Sequence, residues 1–242
     1  MPAPLVWSQD FRVRAYEVGG GDLASPLAVV DYVQEAAGEH ARALGVERFE
    51  IGEAGGAWVL ARMAVRFERL PLWRERVTVE TWPSGRDGLR ATRDVLLRDD
   101  ADEILARART VWFVLDVARR RPVRLPSAVL ALDPPERPAA LDLPPTPTPP
   151  ETIRQSATFT VRHLDLDRNE HANNARFARW ALDAADQDPS RLSMLDLAFR
   201  SEAVLGDGIV SNVGEAGDGT LAHAILRASD RRLLATARTL WT

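Results

Sequence analysis

The sequence predicts an α+β chain in which one structural unit occurs twice. Residues 11–37 align without gaps with residues 159–185, at an offset of 148 positions. Residues 106–112 also match residues 235–241, with five of the seven identical. Each half contains one helical pattern followed by alternating apolar and polar residues, which is typical of a helix packed on an antiparallel sheet. A proline-rich stretch at 132–151 separates the two halves.

The first half begins with a short strand, and the helix that follows is marked at both ends. Ser25 suits an N-cap, Pro26 suits the first helical turn, and Gly45 stops the apolar periodicity. Beyond this helix, alternation of apolar and polar residues predicts four half-solvated strands. These strands are expected at residues 58–68, 76–83, 89–97 and 104–115.

The second half repeats this order. Asn173 or Asn174 caps a helix that runs to about Ala185. Strands are expected near residues 195–203, 208–213, 221–228 and 233–242, and glycine clusters at 19–21 and 214–219 predict turns. The predicted domains are residues 1–131 and 152–242. Proline at this density continues neither a helix nor a central strand, so residues 132–151 are predicted to be an extended linker along the surface.

The composition of the 242 residues argues against several classes of function. A net charge of −4 argues against a general nucleic-acid binder, and no apolar run approaches the roughly 18 residues of a membrane span. Cysteine and lysine are both absent, which excludes disulfides, thiolate metal sites, Schiff-base chemistry and a phosphate-loop lysine. We expect no cofactor and no metal. The first residues show no basic or apolar signal segment, so a cytoplasmic location is expected.

Four histidines are candidates for chemistry. His40 lies late in the first predicted helix, His223 lies in a strand, and His163 lies in the strand entering the second helix. Nothing near these three in sequence forms a chemical constellation, so we expect surface or packing roles. His171 differs because acidic and amide residues surround it over residues 165–174.

Two kinds of metal site are excluded for the 165–174 segment. Its spacing begins like a calcium-binding EF-hand, but the sixth position is Glu170 rather than glycine, and the twelfth is Arg176 rather than glutamate. A zinc-binding helix needs a second histidine four residues from His171, and none is present. The two asparagines that end the segment can also serve purely as helix caps.

The string Asp-Leu-Asp-Arg-Asn-Glu-His-Ala-Asn-Asn at 165–174, followed by Phe177 and Trp180, resembles the signature of plant and bacterial acyl-acyl carrier protein thioesterases. Members usually have valine where this string has its alanine, and tyrosine where Phe177 stands. Residues 32–40 and 112–126 are also similar, so the resemblance covers nearly the whole chain. It implies a tandem hotdog fold, with two helix-plus-sheet repeats forming one continuous sheet as an internal pseudo-dimer. It also implies hydrolysis of fatty acyl thioesters on acyl carrier protein.

The resemblance assigns catalysis to Asp167, Asn169 and His171 in the loop and to Glu202 on the strand after the helix. Members often carry cysteine directly after this glutamate, but this chain has Ala203, so attack by water is expected. A carboxylate or an imidazole can take the proton of that water, which makes Glu202 and His171 the candidate pair. Asp167 is expected to orient His171, and Asn169 to position water or substrate.

Backbone N–H groups at 171–174 are expected to stabilise the oxyanion, because a helix N-terminus carries partial positive charge. In the first repeat, the positions aligned with Asn169 and His171 are Gly21 and Leu23, so this repeat has lost the polar set. The resemblance implies that it encloses the acyl chain instead. Candidate substrate contacts are Val30, Val33, Gln34, Ala37, Trp58 and, in the second repeat, Asn174; for the first five, ordinary core packing is the alternative.

An acyl carrier protein is acidic, so its docking site is expected to be basic. The densest basic group consists of Arg119, Arg120, Arg121 and Arg124, for which a solvated turn is the alternative.

Two other functions stay open: an acyl-coenzyme A thioesterase of the same fold, and a non-catalytic acyl-binding sensor. Hotdog dehydratases also pair a histidine with a carboxylate but lack this arrangement of asparagines. Either a monomer or a homodimer is expected.

Overall fold

The computed structural model describes residues 4–49 and 55–242. The chain divides into two compact units. The first comprises Met1–Ala24 with Ala28–Asp142, and the second comprises Ser25–Leu27 with Leu143–Thr242. The division falls inside the predicted linker. Among the described residues, none of the helices combines the length and apolar character that crossing a membrane requires.

The first unit is a helix on an antiparallel sheet whose strands are ordered β1-β3-β4-β5-β2. A short strand, β6, pairs antiparallel with the end of β5 and forms a hairpin with it. Its elements are β1 (Trp7–Arg12), α1 (Pro26–Ala43), β2 (Gly56–Phe67), β3 (Arg76–Arg86), β4 (Arg90–Arg98), β5 (Ile104–Asp116), β6 (Arg121–Val123) and α2 (Ser127–Leu130).

Helix α1 lies against one face of the first sheet. The ring of Tyr32 stacks on that of Phe11 of β1 with centroids 4.5 Å apart, and His40 stacks on Trp7 at 5.9 Å. Val33 on α1 is completely buried. The predicted helix and all four long strands are confirmed, with ends shifted by at most three residues.

The second unit has the same plan, with strand order β8-β11-β10-β9-β7. Asn173 is the N-cap of its helix, and its side-chain oxygen accepts the Ala175 N–H at 2.8 Å. Phe177 and Trp180 bury the inner face of that helix, against Phe199 and Phe159 respectively. The elements are β7 (Gln155–Thr160), α3 (Asn174–Ala185), β8 (Leu192–Phe199), β9 (Gly208–Gly217), β10 (Thr220–Arg227) and β11 (Leu233–Trp241).

Three local expectations are wrong. Strand β8 ends at Phe199, so Glu202 lies in the turn beyond the strand. His163 opens a short 3-10 helix instead of lying in a strand. The cluster at 214–219 is mostly strand, because β9 continues to Gly217 before turning. Gly214 lies within this strand, and glycine is required there because a Cβ would lie 2.0 Å from the carbonyl oxygen of Thr152.

Residues 132–151 contain neither helix nor strand, and the parts of this segment on either side of the unit boundary each make a specific contact. In the first unit, the Ala140 N–H donates to the Asp94 carboxylate at 3.0 Å. In the second unit, the hydroxyl of buried Thr236 donates to the Pro147 carbonyl at 2.9 Å. Each part of the segment is therefore packed against the unit it adjoins.

Candidate active site

The loop between the 3-10 helix and α3 is closed around Asp167. One of its carboxylate oxygens accepts the backbone N–H of Asn169 at 2.7 Å and that of His171 at 3.3 Å. The other oxygen lies 3.4 Å from the side-chain nitrogen of Asn169. The Asp167 N–H returns a bond to the His171 carbonyl at 2.7 Å, and Glu170 takes a positive φ of 62°. The aspartate therefore fixes the path of the loop.

His171 and Glu202 come together at the surface of the second unit. The His171 Nε2 lies 3.4 Å from a Glu202 carboxylate oxygen, and about a third of each side chain is exposed (37% and 32%). The turn carrying Glu202 runs beside the loop because the Ala172 N–H donates to the Ala203 carbonyl at 2.8 Å. The two residues paired by resemblance are thus brought into contact, within reach of water and substrate.

Two roles expected from the sequence differ from the geometry. Asp167 accepts the backbone N–H of His171 and does not pair with the imidazole ring. Among the residues that the structure describes, the imidazole is paired with Glu202. Three of the four N–H groups expected to hold an oxyanion, those of residues 171–173, also donate within the protein. His171 donates to Asp167, Ala172 to Ala203, and Asn173 to the Asp165 carbonyl at 2.8 Å. Asn174 is the first residue of α3 and is half-buried.

The first repeat keeps the shape of this loop without its chemistry. Asp22, which aligns with Glu170, also has positive φ (57°). The Ala24 N–H donates to the Pro71 carbonyl at 2.8 Å, as Ala172 does to Ala203. This equivalence brings Leu70, which is 6% exposed, to the place of Glu202. With Leu23 in place of His171, both members of the pair are leucine in the first repeat.

The predicted acyl contacts lie on α1 and β2 of the first unit. Val30, Val33 and Ala37 are buried, whereas Gln34 and Trp58 are half-buried. The indole N–H of Trp58 donates to the Val46 carbonyl at 2.7 Å, and Trp58 packs against the apolar cluster around Val46. Packing therefore accounts for Trp58 by itself, and a substrate role for these five residues stays a prediction.

A buried basic pair in the first unit was missed by sequence reasoning. The Arg93 guanidinium donates to His40 Nδ1 at 2.8 Å and to the Thr81 hydroxyl at 3.2 Å. Because Arg93 only donates, the His40 proton lies on Nε2, which donates to the Pro4 carbonyl at 2.9 Å. His40 is packed in the interior, one of the two roles expected for it, but its buried partner Arg93 was not expected. Arg93 shares a face of β4 with buried Val95, and this two-residue spacing could have revealed it.

Burial lowers the pKa values of three basic side chains, those of His40, Arg93 and His223. Desolvation, followed by the charge of Arg93, lowers the pKa of His40 to about 4. Desolvation also lowers the pKa of the Arg93 guanidinium to about 10. His223 is buried as expected; its Nε2 lies 2.8 Å from the Thr239 hydroxyl, and burial lowers its pKa to about 4. Both histidines are therefore neutral near pH 7.

The four arginines considered for docking lie in the first unit, at the turn between β5 and β6 and just after it. All four are exposed, and Arg120 takes a positive φ of 51°. The Arg119 guanidinium lies 3.6 Å from Asp116, while its backbone N–H caps the same carboxylate at 2.9 Å. This geometry fits a solvated turn and a docking surface equally. Within the described part of the chain, no cluster of three potential metal ligands occurs.

Two family models match the chain. The acyl-ACP thioesterase N-terminal domain covers residues 4–132, and the acyl-ACP thioesterase C-terminal domain covers residues 150–242. The chain is 30% identical over 273 residues to a chloroplastic palmitoyl-acyl carrier protein thioesterase of Gossypium hirsutum, covering 98% of this chain and 64% of that relative. For the relative of the same name from Cuphea hookeriana, the values are 31% over 263 residues, 98% and 62%. The chain thus spans less than two thirds of the length of these relatives.

Solved structures show the same double hotdog fold. The 12:0-ACP thioesterase from Umbellularia californica superposes with a TM-score of 0.84 at 26% identity, covering 99% of this chain and 98% of that one. An acyl-ACP thioesterase from Bacteroides thetaiotaomicron gives a TM-score of 0.86 at 20% identity, with 98% of each chain covered. The predicted fold class is therefore confirmed.

Proposed function

The chain belongs to the acyl-ACP thioesterase family, and on that premise we propose that it hydrolyses fatty acyl thioesters of acyl carrier protein to free fatty acid and carrier protein. The observation that carries this proposal is the 3.4 Å contact between His171 and Glu202 on an accessible surface of the second unit. An imidazole beside a carboxylate provides the acid–base pair that thioester hydrolysis needs.

In the proposed reaction, water attacks the thioester carbonyl carbon. His171 Nε2 faces the Glu202 carboxylate at 3.4 Å, so we assign the imidazole proton to Nε2, which leaves Nδ1 to take the proton of the attacking water. Glu202 then balances the charge of the imidazolium, as a carboxylate does beside a catalytic histidine. The carbon–sulfur bond breaks, and the imidazolium proton passes to the departing thiolate. Since cysteine is absent from this chain and Ala203 follows Glu202, no thiol nucleophile is involved.

Asn169 is the proposed donor to the oxyanion. One N–H of its exposed side-chain amide lies 3.4 Å from Asp167, which orients the group, and the second is left for a substrate oxygen. An amide fixed in this way stabilises negative charge on a tetrahedral intermediate more effectively than solvent water, because it needs no reorganisation. This role replaces the backbone N–H groups of residues 171–173, which donate within the protein.

The test is hydrolysis of an acyl-ACP series from short to long chains, with the matching acyl-coenzyme A series, read as released fatty acid. We expect His171→Ala and Glu202→Ala each to lower kcat at least about a hundredfold, and the double variant to be no worse than either single one. His163→Gln, on an exposed residue outside the pair, is the control. Preference for coenzyme A substrates would favour the acyl-CoA thioesterase alternative, and near-full activity in both alanine variants would overturn the site.

Further parts of the proposal concern how the substrate is held. Residues 1–131 form the proposed acyl-binding half and residues 152–242 the catalytic half. The acyl chain is proposed to contact Val30, Val33, Gln34, Ala37 and Trp58, with Asn174 near the thioester. The carrier is proposed to dock on the four arginines of 119–124. A cytoplasmic location also stays a proposal, which fractionation of cells expressing the full chain would test.

A further inference from the structure

The turn that carries Glu202 is held by an arginine on a neighbouring strand. Arg227 ends β10, and its guanidinium donates to the Glu202 backbone carbonyl at 3.1 Å through Nη2. Its Nε donates to the Asp207 carboxylate at 3.0 Å, and its Nη1 lies 3.3 Å from Asp230. One guanidinium therefore joins both ends of the 202–207 turn to the end of β10.

Asp207 completes this arrangement from inside the turn. Its carboxylate accepts the Val204 N–H at 3.0 Å, and its own N–H donates to the Val204 carbonyl at 3.0 Å. The Asp207 carbonyl in turn accepts the Val161 N–H at 2.9 Å, which ties the turn to the segment leading into the catalytic loop. The Arg227 and Asp207 side chains are only 18% and 16% exposed. An ion pair screened from water to this degree holds its geometry better than an exposed pair.

We infer that Arg227 and Asp207 are positioning residues that set the distance between Glu202 and His171. This inference rests on the proposed function of that pair. Glu202 lies in the turn after β8, which is joined to the loop by the Ala172–Ala203 bond and to the end of β10 by the Arg227 bond. Without Arg227, the Glu202 carbonyl loses this donor, and the carboxylate moves relative to the imidazole. A displacement of about 1 Å at a reacting group can cost about a hundredfold in rate.

The first repeat provides a natural control for this turn. Its Glu75 takes the place of Asp207, accepting the Leu72 N–H at 2.6 Å and pairing with Arg69 at 2.5 Å. The same kind of carboxylate-capped turn is therefore built there, but its residue at the Glu202 position is Leu70. Breaking the ion pair in the first repeat removes the same kind of contact from a turn of the same kind and leaves His171 and Glu202 untouched.

The kinetic test compares Arg227→Lys and Asp207→Asn with Glu75→Gln on acyl-ACP. Lysine keeps the charge, but its three N–H donors share one nitrogen and cannot span the three acceptors that the guanidinium reaches from Nε, Nη1 and Nη2. Asparagine keeps the shape of the carboxylate. We expect the first two variants to lower kcat about ten- to a hundredfold with KM changed less than about twofold, and Glu75→Gln to leave kcat unchanged. In a Glu202→Gln background, Arg227→Lys should have no further effect, because it acts through that carboxylate.

A second measurement is independent of activity. The Val204 amide donates to Asp207, so its hydrogen exchange, followed by NMR, should accelerate at least about tenfold in Arg227→Lys if the ion pair orders the turn. Full kcat in Arg227→Lys, or an equal loss with and without Glu202, would overturn the inference. A wild-type chain that releases no fatty acid would refute the proposed function instead. In that case unchanged Val204 exchange in Arg227→Lys would still refute the ordering of the turn.

Discussion

Asp167 illustrates how a residue assigned to catalysis by resemblance can act through the backbone. Its carboxylate receives the N–H groups of Asn169 and His171, so it shapes the loop that presents the imidazole. In this role, what matters is an acceptor atom at the right position, whereas a partner for an imidazolium would need the negative charge. The two roles can be separated by substitutions that keep one property and remove the other.

We expect Asp167→Asn to lower kcat by no more than about fivefold, since its amide oxygen still accepts both backbone N–H groups and only the 3.4 Å contact to the Asn169 side chain is lost. We expect Asp167→Ala, which loses all three contacts, to lower kcat at least about tenfold more. Steady-state kinetics on one acyl-ACP substrate, with circular dichroism to verify folding, would measure both. Equal losses in the two variants would mean that the charge of Asp167 matters, and the orienting role expected from the sequence would then stand.

At the scale of elements, local sequence patterns predicted where the strands and helices lie. They did not predict where β8 ends, and this end determines where Glu202 is placed. Alternation and caps gave α1, α3 and the long strands because burial on one face repeats every two or 3.6 residues. The end of β8 at Phe199 is set by tertiary contacts instead: the Arg200 and Ser201 N–H groups both turn to the Leu234 carbonyl. Glu202 was identified by resemblance, but its turn and Arg227 are visible only in three dimensions.

The basic turn between β5 and β6 is the element on which carrier docking depends in our proposal. Charge reversal in Arg119→Glu with Arg121→Glu should raise KM for acyl-ACP at least about fivefold and leave coenzyme A substrates within about twofold, because only the carrier is a large acidic partner. The effect on acyl-ACP should shrink as salt concentration rises. Arg48→Glu with Arg66→Glu is a control of equal charge change at other sites. Equal KM changes for both substrate classes would place docking elsewhere.

At the scale of the whole molecule, duplication explains which features the sequence could predict. The alignment at an offset of 148 showed that the first repeat has Gly21 and Leu23 at the positions of Asn169 and His171. The structure adds that Leu70 takes the position equivalent to Glu202. That last equivalence was hidden because the spacing between the loop and its partner turn differs between the repeats. His40 and Arg93 were hidden for a similar reason: they lie 53 positions apart in sequence and meet only in the folded unit.

Each unit buries one neutral histidine, and this makes the stability of the chain depend on pH. Burial lowers the pKa values of His40 and His223 to about 4 in the folded state, against 6.5 for an exposed imidazole. Above pH 6.5, both states hold the rings neutral. As the pH falls from 6.5 towards 4, the unfolded chain binds protons that the folded chain does not, so the free energy of unfolding decreases. By pH 5 the expected loss is about 2 kcal/mol for each histidine.

Urea unfolding at pH 7 and pH 5 would measure this loss. We expect the wild-type chain to lose about 4 kcal/mol between the two values, His223→Gln to lose about half as much, and His163→Gln to match the wild type because that ring is exposed. The comparison uses the change with pH, so a uniformly less stable variant does not disturb it. If His223→Gln kept the full wild-type loss, the folded state would already accept a proton at that ring, and its burial as a neutral group would be wrong.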